Sequence, residues 1–380
     1  MILAILCILS QVQDDPAGLT RRGHDLLREG RRGGVHELLE QAEGLYLQAL
    51  ALEPASASAW NGLAYARLGR HDFDGALAAA RSALRIEPDD TALLALLGDV
   101  HFGAGNLTEA EAAWRMLHGR GETLASLARL GLAAEARGRA AEAERHFRDA
   151  LEAGRLLDAS AEDLAWCICM LAALEQSRGR ADAAERSFRE AIALDPRSRF
   201  AAQGLARALT EQGRADEALT ILTELVERLP EPAHFVQIGE TLEALGRAGE
   251  ASGWYARCEA DVQRDFARGD FGHARELAEM WLDHGGDPQR ALELALRDLN
   301  EVRRDSGAWE TAAWGFFRCG RFAEAARHVT EALRAGGGEP RLWRRAAEIY
   351  AASGDRLRAA RCRRIAEERA SRPAAAAPAE

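Results

Sequence analysis

Between Trp60 and Leu68 apolar residues recur every three or four positions, the spacing of a helix with one buried face. Further along, GRADAAERSFREAIALDP (179–196) is followed thirty-four residues later by GRADEALTILTELVERLP, with glycine, arginine, alanine, aspartate and the final proline in the same places. Aligning on one alanine extends the pattern through Ala76, Ala110, Ala143, Ala184, Ala218, Ala251, Ala291, Ala325 and Ala359. Successive separations are 33 or 34, except for 41 before Ala184 and 40 before Ala291. Five residues before every alanine but the first stands a glycine: Gly105, Gly138, Gly179, Gly213, Gly246, Gly286, Gly320 and Gly354, with His71 in the first. Self-similarity at this period is the signature of a repeat architecture.

Each period predicts two helices. The glycine closes the first by taking a left-handed conformation at little cost. An acidic residue such as Asp182, Asp216 or Glu324 then suits the positive end of the second helix. The alanine marks where the two helices cross, since a larger side chain would hold the backbones apart. Pro88, Pro196 and Pro230 end second helices, because proline disfavours helix in the residue before it.

This helix pair resembles the tetratricopeptide repeat. In one repeat Trp60, Leu63, Ala64, Ala76, Ala83 and Pro88 occupy the family's bulky, leucine, small, alanine, alanine and proline places. Leu171, Ala172, Gly179, Ala184, Phe188, Ala191 and Pro196 do so in another, and Trp343, Ala347, Gly354, Ala359 and Ala366 mark the last. The seventh repeat departs, with Arg275 and Glu279 where apolar and small residues are expected. The fold class is therefore all-α, an α-solenoid of tandem helix-turn-helix repeats, and the resemblance implies a right-handed superhelix with first helices lining its inner surface.

The expected organisation is a leader and linker (1–22), a degenerate N-terminal repeat (23–56), repeats 1–3 (57–157), an insertion (158–164), repeats 4–6 (165–265), a second insertion (266–271), repeats 7–9 with a C-terminal cap (272–371) and a disordered tail (372–380). The insertions either lengthen helices or bulge as loops, and they divide the array into three groups of three repeats. The tail SRPAAAAPAE has nothing large to bury.

Composition narrows the function. A net charge of −11 argues against a nucleic-acid binder that neutralises phosphates. All 49 basic residues are arginine, which reads as the codon bias of a GC-rich, bacterial genome. The apolar run Ile2–Leu9 is too short for a bilayer span of about 20 residues. It matches the core of a secretory signal but lacks a basic residue before it, so an exported, periplasmic location stands beside a cytoplasmic one. Six cysteines, Cys7, Cys167, Cys169, Cys258, Cys319 and Cys362, show no framework spacing and read as small apolar core residues.

Catalytic chemistry finds no support. HELLE (36–40) begins like a zinc-binding helix but ends in Glu40 where a second histidine ligand is required. The glycines follow helices rather than strands, so no phosphate-cradling loop is indicated. The expectation is a scaffold without catalysis, metal or cofactor, a monomer that binds a protein or peptide in its concave groove. The alternatives are a self-associating structural assembly factor and, remotely, an enzyme on a helical scaffold. Groove positions implied by the resemblance put Glu240, Glu243, Glu276, Asp283 and Glu310 beside Trp314 and Phe317, with Arg341, Arg344 and Arg345 in the last repeat. This acidic-aromatic surface suits a basic or mixed apolar segment. The chaperone-tail clamp of the family is not matched, Asn61 being its nearest relic.

Overall fold

Paired antiparallel helices run from Pro16 to Ser371 in a computed structural model that describes residues 15–33, 36–337 and 339–371. The N-terminal repeat is α1 (Pro16–Gly33) with α2 (His36–Leu52). Repeats 1 to 3 are α3 (Ala57–Gly69) with α4 (Phe73–Ile86), α5 (Thr91–Gly103) with α6 (Leu107–His118), and α7 (Leu124–Ala136) with α8 (Ala140–Leu156). Repeats 4 to 6 are α9 (Ala161–Ser177) with α10 (Ala181–Leu194), α11 (Arg199–Glu211) with α12 (Ala215–Arg228), and α13 (Pro232–Ala244) with α14 (Ala248–Ala267). Repeat 7 is α15 (Ala274–His284) with α16 (Pro288–Arg297), which widens into a π turn over Asp298–Val302. Repeats 8 and 9 are α17 (Ser306–Arg318) with α18 (Phe322–Ala335), and α19 (Pro340–Ala352) with α20 (Arg356–Ser371).

The chain forms two compact modules, Met1–Val100 and His101–Glu380. The core of the first gathers Leu19, Leu39, Tyr46, Leu63, Leu96 and Val100. In the second, one core runs from Leu127 to Ala291, past both insertions. The division at residues 100/101 thus differs from the three-way grouping expected from the insertions. Those insertions go mainly into longer helices: α8 and α9 have 17 residues each and α14 has 20. At the other end α1 begins at Pro16, so residues 16–22, expected as linker, are helical. The apolar run and the C-terminal tail lie outside the described residues, and no described helix is long and apolar enough to cross a membrane.

The turn glycines behave as their spacing predicts. Gly105, Gly138, Gly179, Gly213, Gly246, Gly320 and Gly354 have φ between 71° and 87°, and His71 takes φ 60° in the repeat that lacks the glycine. Repeat 7 differs in one respect. There Gly285, not Gly286, has the left-handed φ of 94°. Gly286 N donates to Trp281 O five residues back, just as Arg214 N donates to Leu209 O after Gly213. Gly285 is therefore the turn glycine, and α15 is offset by one residue from the frame read in the sequence. In the corrected frame Ala274, Leu277 and Ala278 take the packing positions and are fully buried. The departure assigned to Arg275 and Glu279 disappears, because both move onto the inner row.

Two devices fasten the repeats. Aromatic rings of second helices lie over glycines of first helices, where a Cβ would not fit: it would stand 2.2 Å from Tyr46 at Gly62, 2.7 Å from Phe147 at Gly131, 2.2 Å from Phe188 at Gly204 and 2.2 Å from Tyr255 at Gly239. The second device is ionic. The glutamate after the crossing alanine receives arginines from the next repeat's turn: Glu43 from Arg67 and Arg70, Glu111 from Arg137 and Arg139, Glu144 from Arg178, and Glu185 from Arg214. Partly exposed pairs of this kind contribute about 0.2–1 kcal/mol each. Cys167, Cys169, Cys258 and Cys362 are buried and unpaired, as small core residues are, and burial pushes the Cys167 thiol up to about 12.

Candidate functional site

First helices of successive repeats touch one another from repeat 4 to repeat 9, α9 with α11, α11 with α13, α13 with α15, α15 with α17 and α17 with α19. They therefore occupy the inside of the curve. At repeats 7–9 this inner side is so tight that side chains reach across an intervening repeat. Arg341 on α19 donates to Glu279 on α15 at 3.2 and 3.3 Å. Arg345, also on α19, donates to both oxygens of Asp283 at 2.9 and 2.6 Å.

Between them lies Glu310 of α17, 2% exposed, which accepts from Arg345 at 3.1 Å and pairs with Arg341 Nε at 3.0 Å. Trp314, one turn on, donates its indole N–H to Asp283 at 2.9 Å and stacks on Phe317 with centroids 4.7 Å apart. The Arg345 guanidinium sits 4.9 Å above the Trp314 ring. Thr311 closes the set by donating to Glu279 at 2.7 Å. Burial alone would raise the Glu279 carboxyl, but Arg341 and Arg275 outweigh it and hold the group below its usual range. Each charge here has an opposite charge at hydrogen-bond distance, so the network orders three repeats and leaves the stacked Trp314–Phe317 pair at its edge.

A second cluster lies one repeat earlier. Glu240 and Glu243, both exposed on α13, face His284 at the end of α15, at 3.6 Å from Nε2 and 3.0 Å from Nδ1. Tyr255 stacks under that imidazole with centroids 4.5 Å apart. Burial works against protonating His284, yet the Glu240 hydrogen bond and the charges of Glu243, Glu240 and Asp283 outweigh it and raise its pKa above 6.5. Because the folded-state value is raised, the pairing stabilises repeats 6–7 fully below the unfolded pKa and is lost as pH rises through the folded one. The His284 imidazole should titrate above 6.5 by NMR, and His284→Gln should flatten the fall in stability across that window.

Of the residues expected on the groove, Asp283, Glu310, Trp314, Phe317, Arg341 and Arg345 are brought together, and Glu240 and Glu243 form the adjoining cluster. Arg344 is exposed on α19 and stands outside both. Glu276 is half-buried beside α15's packing face, with Oε2 lacking a hydrogen-bond partner among the described residues. The one-residue offset explains its place. Arg275 takes the inner row instead and holds both oxygens of Asp305, the cap of α17, at 2.9 and 3.0 Å. Arg275, Glu279, Thr311, His284 and Tyr255 are not among the groove positions expected from the sequence. The double glycine at 285–286 was the available signal, since either residue can make the turn. No group of three or more His, Cys, Asp or Glu side chains is arranged to hold a metal among the described residues.

Family models described as tetratricopeptide repeat match residues 67–117 and 175–238, 122–197, and 27–91. No curated protein matches significantly. Among solved structures, the human IFIT1 dimer with m7Gppp-AAAA aligns with a TM-score of 0.52 at 18% identity, over 84% of this chain and 71% of that one. A tetratricopeptide repeat protein from Parabacteroides merdae ATCC 43184 aligns with a TM-score of 0.45 at 20% identity, over 63% of this chain and 93% of that one. Yeast Tom70 gives 0.40 at 12% identity, over 93% and 91%. At 18% identity the likeness to IFIT1 is one of fold.

Proposed function

The chain belongs to the tetratricopeptide repeat family, and from that premise we propose that it is a non-catalytic scaffold whose inner surface at repeats 6–8 captures a basic or mixed apolar segment of a protein partner. The observation that carries this reading is the division of labour among the inner side chains. Asp283, Glu310, Arg341 and Arg345 are spent on one another, while Glu240 and Glu243 stay exposed on α13 with the one His284 imidazole between them, next in chain to the Asp283 that accepts from Trp314 of the Trp314–Phe317 stack. An aromatic platform flanked by carboxylates suits an arginine- or lysine-bearing segment with an apolar neighbour. The IFIT1 structures hold m7Gppp-AAAA or PPP-AAAA. In this chain the Arg275, Arg341 and Arg345 guanidiniums are already matched by carboxylates, which favours a cationic partner over a polyanion.

The mutations that test this must avoid the buried network, because reversing Asp283 or Glu310 would break the array itself. Affinity capture from the native host should recover a partner with the wild-type chain and lose most of it with Glu240→Arg/Glu243→Arg or with Phe317→Ala, at unchanged helical content. Equal recovery by all three would refute the reading.

A further inference from the structure

The second module touches itself at a distance along the chain. After the helices of repeat 2 have turned at Ala104 and Gly105, the Ala104 carbonyl accepts from Arg304 N at 3.1 Å. One repeat on, the Ala136 carbonyl at the end of α7 accepts from Gly337 N at 3.2 Å. The donors lie in the loops that lead into repeats 8 and 9, so main-chain hydrogen bonds link the beginning of the module to its end.

The join requires glycine on both sides. A Cβ on Gly105 would stand 2.3 Å from Asp305 N, and one on Gly336 would stand 2.7 Å from Ala136 O. Gly105 also needs its left-handed φ of 85° for the hairpin, but Gly336 is extended, at φ −178°, a conformation open to any residue. At Gly336 the missing side chain answers to the approach of Ala136 and not to the turn. The loop itself is held in place by Ser306, whose single hydroxyl hydrogen is shared between Ala332 O at 2.9 Å and Gly336 O at 3.0 Å. Set against the join is Glu135, next to Ala136. Burial and the charge of Glu339, on the same loop as Gly337, push its carboxyl up to about 7. Backbone hydrogen bonds pull the two edges together, while Glu339 repels Glu135 whenever that carboxyl is ionised.

We propose that this join is a latch: it shuts the module into a ring around its inner surface, and it opens so that a partner segment is encircled rather than laid in an open trough. The encirclement rests on the capture reading above; the latch does not. Opening needs no helix to unfold, since the two hydrogen bonds and the two glycine contacts lie in turns and loops and not within a helix. Like charges at the join keep it from being permanent.

The test uses the full chain without any partner, so its outcome is independent of whether capture itself is confirmed. Hydrogen exchange should find the Arg304 and Gly337 amides protected, and Gly336→Val should speed their exchange at least about tenfold while the amides of α7 and α18 hold their protection. The same variant should show a larger radius of gyration by X-ray scattering. Glu339→Arg, which sets a cation against Glu135, should slow exchange at Gly337 and decides the matter alone should Gly336→Val lose its helical signal. Exchange at Arg304 and Gly337 that is unchanged in both variants would overturn the latch.

Discussion

Arg345→Ala should destabilise the C-terminal repeats by about 3–5 kcal/mol, the cost of leaving a buried charge without its partner. Arg345 is 7% exposed and holds Glu310 and Asp283, two carboxylates on different helices, while covering the Trp314 ring. Without it Glu310 is left with Arg341, and Asp283 with the indole N–H of Trp314 and the nearby His284. In a stack where each repeat leans on its neighbours, that loss falls first on α17–α20 and appears as sub-global opening. Hydrogen exchange should therefore show α17 and α19 losing protection while α9–α12 keep theirs. Arg345→Lys retains the charge but not the planar fork that reaches both acids, so it should lie between wild type and alanine. A change in stability within 0.5 kcal/mol for Arg345→Ala would mean that the network does not order these repeats.

The second large effect is apolar. Phe147→Ala should cost about 3–5 kcal/mol, because the ring is fully buried and the space it leaves can relax only in part. Phe147 lies over Gly131 of its own hairpin and meets Trp166 of the next repeat edge-on, with centroids 6.3 Å apart. It joins two repeats as well as two helices. Gly131→Leu in the wild-type background should also destabilise, since its Cβ would stand 2.7 Å from the ring. Combined with Phe147→Ala, the new leucine enters the vacated space, so the double variant should be more stable than the sum of the singles by 1 kcal/mol or more, a coupling on the order expected for residues in contact. Strict additivity in urea denaturation would show that ring and glycine are not partners.

Much of this fold is legible in the residues because the repeat writes the same physical requirement many times. A glycine before every second helix from repeat 2 on, an alanine at each crossing and a proline after several second helices say the same thing period after period. Where the requirement is met by two residues at once the reading slips. Gly285 and Gly286 are interchangeable in a list of glycines, and only φ tells them apart. That single residue moved Arg275 and Glu279 from anomalies of packing to members of the inner row, and moved Glu276 off it.

The site was legible in part for a different reason. The family resemblance implies which positions of each repeat face inward, so Asp283, Glu310, Trp314, Phe317, Arg341 and Arg345 could be named together. Whether such residues face a partner or each other depends on how tightly the array curves, which no periodicity encodes. Arg341 meets Glu279 and Arg345 meets Asp283 across sixty-two positions of chain, with a whole repeat between. The latch was beyond reach for the same reason, since Ala104 and Arg304 are neighbours only once the curve is known.

The claim at the centre is that the inner faces of the first helices do the binding. Hydrogen exchange on the complex with a captured partner, compared with the free chain, tests it most directly. Protection should rise on peptides from α13, α15 and α17, around Glu240, Glu243, Trp314 and Phe317, with α14, α16 and α18 unchanged. Protection confined to the second helices would place the partner on the outer surface and contradict the account.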